Sequence, residues 1–245
     1  MPGVERTTRI CAFDRAGQGW SEESSQPRDG LHTASDLHAV LAGAGETGPY
    51  LMVGHSTGGT YALTYAATHP EDVAGMVLVD SSSPDQFTVL PNFDDEFTIA
   101  RRVVALLPSL SRLGLGELVP SSFFPSLPQP AAAQVRAMTS SPHGLRNQRD
   151  EQAAIPDLFR QAQALTSLAD KPLVVLTATV GAAKGWETAQ DRLAALSTNS
   201  SHRFIGTDHG GMLADAKGSA ASVQAINDVV RAVRDGSSVP DRGGQ

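Results

Sequence analysis

The sequence predicts an α/β fold: a mostly parallel β-sheet flanked by helices. Short apolar runs at 50–54, 74–79 and 172–177 alternate with helical periodicity at 33–41, 60–68 and 187–196. A glycine-rich turn, Gly54-His55-Ser56-Thr57-Gly58-Gly59, joins one of these runs to the helix that follows it. The chain has 245 residues, of which 40% are hydrophobic and 18% charged, enough for one sizeable core and far from a disordered composition.

Taken in order, residues 8–13 read as a buried strand that ends in the turn Asp14-Arg15-Ala16-Gly17-Gln18-Gly19. The single cysteine, Cys11, falls in that strand and is expected to be an inert core thiol. With one cysteine, no internal disulfide can form. Residues 33–41 form a helix with Leu37, Val40 and Leu41 on one face, broken by Gly43, Gly45 and Gly48. The runs at 50–54, 74–79 and 172–177 are continuous rather than alternating, as in parallel strands buried on both faces. Residues 203–206 read as a last short strand, and 222–233 as a closing amphipathic helix.

Residues 84–168 break the alternation. They are rich in proline, with helical pieces such as 95–107 and 134–138 between. They are expected to form a helical lid insertion over the strand ends. The core is then 1–83 with 169–235, and 236–245 is expected to be a flexible tail.

The charge balance narrows the partners. A net charge of -7 with no basic cluster argues against nucleic acid and anionic membrane surfaces. No run approaches the ~18 apolar residues of a membrane helix, and the first residues lack a signal-type apolar stretch. The expectation is a cytoplasmic protein acting on a small molecule, with its oligomeric state open. No metal-ligand spacing or P-loop lysine is present, so no cofactor is expected; Gly17 and Gly19 do not open a dinucleotide-binding helix.

The chemistry concentrates at Gly54–Gly59, which matches G-x-S-x-G in the strand-turn-helix setting that the motif requires. A tight turn there lifts the Ser56 hydroxyl clear of the sheet, and the flanking glycines let strand and helix approach. The helix then aims its amino end at the site, where the Thr57 amide can donate to an oxyanion. The competing reading is a mere packing turn. Ser56 needs a base. Of seven histidines, His209 follows the last strand, on a loop able to reach across the strand ends. His55 adjoins Ser56 and is expected to point elsewhere. The expected chain order is serine, acid, histidine. Asp80 ends the run 74–79 and is the first candidate acid; Glu187 and then Asp191 are the alternatives beyond 172–177.

These segments, together with Asp14–Ser21 and Met76-Val77-Leu78-Val79-Asp80, make residues 8–233 resemble the α/β-hydrolase superfamily. The resemblance implies a Ser-His-acid triad and a helical lid between the sixth and seventh strands, where 84–168 falls. Members that place the acid after the sixth strand match Asp80. Haloalkane dehalogenases do so, but with an aspartate nucleophile, so Ser56 argues against dehalogenation. The resemblance also implies three earlier strands and a His-Gly loop with a second oxyanion donor, none of which matches this sequence. In the family, the third of those strands lies between the fourth and the fifth. A gap or a new pairing is therefore expected beside 50–54. With only the Thr57 amide evident, little hydrolase turnover is expected of residues 1–245. Three readings stay open: a serine esterase, an acyltransferase using the same triad, and a catalytically impaired fragment or binding module.

Overall fold

The computed structural model describes residues 3–115, 127 and 129–242. Four strands, β1 (Tyr50–His55), β2 (Val73–Val79), β3 (Leu173–Ala178) and β4 (Ser200–Ile205), form one sheet in the order β1-β2-β3-β4. All three pairings are parallel. Helices α1 (Gly30–Gly43), α2 (Thr57–Thr68) and α7 (Trp186–Ala194) belong to the core, as do α8 (Gly211–Ala214) and α9 (Ala216–Asp235). Among the described residues, four more α-helices lie between β2 and β3: α3 (Gln86–Val89), α4 (Phe93–Leu110), α5 (Ala131–Ser140) and α6 (Pro142–Ala162).

Alternation along β2 divides the core into two layers. Met76 and Leu78 face one side with Leu63 and Tyr65 of α2 and Leu193 of α7. Val77 and Val79 face the other, against Ala225, Ile226 and Val229 of α9. Both faces of β2 and β3 are therefore dry, which is why those strands read as continuous apolar runs.

Three readings are corrected. Residues 8–13 form no strand, and Cys11 is exposed rather than buried. An apolar run becomes a strand only where a ladder partner satisfies its amides and carbonyls, and no described segment pairs with the outer edge of β1. Neither 8–13 nor a new strand fills that edge, where Val53 is exposed. Second, residues 236–242 pack back instead of fraying. Val239 is buried, its amide donates to Asn199 Oδ1 (2.9 Å), and Arg203 Nη2 donates to the Pro240 carbonyl (2.9 Å). Arg242 joins Arg203 on the buried carboxylate of Asp228. Burial alone would raise the Asp228 pKa, but hydrogen bonds from Arg242, Gln224 and Arg203 hold it below the ordinary carboxylate value. Third, α6 is a single helix of 21 residues where the sequence reading had only short pieces. Pro142 sits at its amino end, where no amide is needed, and the Ser141 hydroxyl caps Gly144 N.

The inserted helices spring from the end of β2. Phe87 of α3 meets Phe93 and Phe97 of α4 and Phe159 of α6, edge to face, at centroid distances of 5.0, 5.2 and 5.7 Å. The Asp14–Gly19 turn is present, with Gly17 and Gly19 at φ 74 and 51. Arg15 ties it to α6 through Glu151 (2.5 Å) and stacks over the Tyr61 ring of α2.

Candidate active site

Ser56 stands between β1 and α2 at φ 55, ψ -133. A non-glycine residue in that region is strained by about 1–3 kcal/mol and persists only when its surroundings over-determine it. They do so here through one carbonyl. Gly59 N (3.0 Å), Ser82 N (2.9 Å) and Ser81 Oγ (3.4 Å) all donate to Ser56 O, while Ser56 N donates to Val79 O (3.3 Å). The loop after β2 therefore holds the elbow.

Two of the three motif glycines are required by contact. A Cβ on Gly54 would come within 2.5 Å of Gly58 O and the Gly59 backbone, and one on Gly59 would fall on the Ser81 hydroxyl. One on Gly58 would meet nothing within 4 Å. Close approach at this elbow thus rests on Gly54 and Gly59. Gly59→Ala is expected to lower stability in urea unfolding by about 1–3 kcal/mol, the cost of overpacking. Gly58→Ala is expected to leave it unchanged or raise it by up to about 1 kcal/mol, the helix-propensity difference.

His209 lies on the loop between β4 and α8, and its Nδ1 is 2.6 Å from Asp80 Oδ2. A carboxylate only accepts, so Nδ1 carries the proton and Nε2 is left with a free lone pair. Asp80 is 4% exposed and sits at φ 41 at the end of β2. Its other oxygen, Oδ1, accepts from Ala178 N (3.0 Å) and Trp186 Nε1 (2.8 Å). Every face of this carboxylate is occupied by a donor on a different element, which fixes its orientation toward His209.

Of the sequence candidates, Asp80 and His209 are brought together, and Ser56 and Thr57 occupy the end of β1 and the first position of α2. The Thr57 amide is one of the first-turn donors that a helix leaves without an internal acceptor. Glu187 is exposed on the first turn of α7, and Asp191 pairs with His202 (2.8 Å), so the alternative acids are engaged elsewhere or solvated. Two residues were missed. Trp186 opens α7 and was not among the sequence candidates. His55 turns toward the site, with Nε2 3.0 Å from the His209 carbonyl and its ring 4.5 Å from the His209 ring. Burial, then the neighbouring His209, hold the His55 pKa below its ordinary value.

A family profile described as the alpha/beta hydrolase fold matches residues 1–209. The chain belongs to the alpha/beta hydrolase family. This alpha/beta hydrolase is 28% identical over 225 residues to an uncharacterized protein of Schizosaccharomyces pombe, covering 86% of this chain and 41% of that one. A bifunctional esterase/perhydrolase of Acinetobacter calcoaceticus is 40% identical over 77 residues, 31% of this chain and 28% of that protein. The chain spans less than half the length of either relative. Among solved structures, an esterase from Exiguobacterium antarcticum superposes with a TM-score of 0.61 at 20% identity, over 88% of this chain and 79% of that one. At that identity the likeness shows the fold alone. The parallel sheet with helices on both faces is the arrangement that the family expectation required. Among the described residues, no helix is long and apolar enough to cross a membrane, and no group of three or more His, Cys, Asp or Glu is placed to hold a metal ion.

Proposed function

We propose that this hydrolase cleaves a carboxylic ester or related acyl bond through an acyl-enzyme on Ser56. The observation that carries the reading is the 2.6 Å contact of His209 with a fully engaged Asp80. That contact leaves the Nε2 lone pair of His209 free, and this reading assigns it as the base for Ser56.

In the proposed reaction, Nε2 takes the Ser56 hydroxyl proton as Oγ attacks the acyl carbonyl carbon. The carbonyl π electrons move to oxygen, and the Thr57 amide donates to that oxyanion. As the carbonyl re-forms, the bond to the leaving alkoxide breaks and the imidazolium returns its proton to it. Asp80 stabilises the imidazolium without taking the proton. Water, deprotonated by the same nitrogen, then releases the carboxylic acid and restores Ser56. The steps use side chains and amides of this chain, a small-molecule acyl substrate and water. The Thr57 amide is the named oxyanion donor, and one such donor is worth about 10²–10³ in rate. The helices at 84–168 act in this reading as a lid, anchored by the phenylalanine cluster at the exit of β2.

A second reading is acyl transfer to an acceptor other than water, favoured by the match to a bifunctional esterase/perhydrolase. Stopped-flow hydrolysis of a short-chain nitrophenyl ester tests both. The esterase reading expects a burst of one nitrophenolate per chain, then slow carboxylic acid release. Alkyl ester as the main product when an alcohol is added would favour transfer. Absence of both a burst and turnover above buffer would leave the chain a binding module and contradict the reading.

A further inference from the structure

The sheet order sets a geometric problem for His209. Its loop leaves β4, whereas Ser56 ends β1, three strands away. That is a reach of about 14 Å at ~4.8 Å per strand. Near its origin the loop is well held: Val180 N donates to Thr207 O (3.0 Å) and Gly211 N to Asp208 Oδ1 (2.7 Å). Part-way across, Asp80 at the end of β2 holds the His209 ring. The His209 side chain is 45% exposed, so water competes for its hydrogen bond to Asp80.

The anchor on the β1 side is His55. We propose that His55 is a positioning residue for His209, holding its carbonyl through Nε2–H and bracing its imidazole ring-to-ring. A carbonyl only accepts, so His55 must carry its proton on Nε2. Its 4.5 Å ring contact, tilted by 31°, covers one side of the His209 imidazole. The depressed pKa of His55 agrees with this role. A neutral His55 places no charge beside His209 when that ring accepts a proton, and Asp80 remains the carboxylate bonded to it. His55 is thus a positioning group one residue before the serine, on the strand that carries both. Any displacement of β1 moves the Ser56 elbow and the His209 backbone together.

The inference rests on His209 being the base, so the test has one arm that needs no activity. The chain is compared with His55→Phe, which keeps a ring but no donor, and His55→Gln, whose amide nitrogen can fall near Nε2. His55→Asn, too short for the carbonyl, replaces the Phe variant if that one fails to melt cooperatively. NMR follows the downfield Nδ1–H proton of His209, assigned by its loss in His209→Gln, and fluorophosphonate labelling of Ser56 is timed in parallel. In His55→Phe or His55→Asn, solvent exchange of that proton should rise about tenfold or more. Labelling should slow by about 10–100-fold, the scale of a small misplacement of a reacting group. His55→Gln should recover most of both. Unchanged exchange in the Phe and Asn variants would overturn the proposal, as would a Gln variant no better than Phe. If Ser56 of the parent chain does not label at all, the hydrolase reading fails, while the exchange data still decide the role of His55.

Discussion

Replacing His209 by Ala is expected to reduce ester turnover about 10⁶-fold, or to the buffer rate, the scale on which triad enzymes lose activity with their base. The substitution removes the nitrogen proposed to take the Ser56 proton. His55 is not expected to substitute, because burial holds its pKa below the ordinary value and makes it a weaker base. The fold should survive, since the His209 side chain is half-exposed and Asp80 keeps its bonds from Ala178 N and Trp186 Nε1. Steady-state turnover of a nitrophenyl ester, with a melting curve on the same sample, checks both halves. Turnover within tenfold of the parent in a folded variant would show that the base lies elsewhere.

Asp80→Asn is expected to cost about 10⁴ in kcat, the loss seen when a triad acid becomes an amide. The structure says why the amide cannot adjust. Ala178 N–H and Trp186 Nε1–H both point at Oδ1, so the Asn oxygen must occupy that position. Its NH2 group then faces His209 Nδ1 and requires an acceptor there. That pushes the imidazole proton onto Nε2, toward Ser56, where a lone pair is needed. Little stability should be lost in the exchange, because the oxygen still meets both donors. Glu187→Gln, on the exposed first turn of α7, should leave turnover unchanged. Measured kcat values for the two variants decide the matter: a crippled Gln variant beside an active Asn variant would reverse the assignment of the acid.

The parts of this fold that periodicity encodes were legible. β2 and β3, covered on both faces, are continuous apolar runs, and α2 stops where His69-Pro70 requires it. The strand read into residues 8–13 failed because apolar character reports a wish for burial, and a strand also needs a partner edge. α6 was hidden by its prolines. Pro142 opens the helix and Pro156 lies within it, yet Leu145, Leu158, Phe159 and Ala162 still form its buried stripe. Within the candidate site, motif and chain order pointed to Ser56 and His209 and a strand end to Asp80, and the structure brings Asp80 and His209 together. Trp186 and His55 could not, since their roles depend on which loops converge above β2, a matter of sheet order rather than local sequence. The signal at 178–186 was a lone tryptophan after a run of mostly small residues, a side chain suited to donating into a buried acceptor.

Covalent labelling shows whether Ser56 is the nucleophile. The chain is incubated with a fluorophosphonate, digested, and its peptides weighed. The account predicts one adduct, on the peptide containing Ser56, lost in Ser56→Ala and strongly slowed in His209→Ala, with both variants melting as the parent does. An adduct on another residue, or undiminished labelling of a folded Ser56→Ala chain, would contradict it.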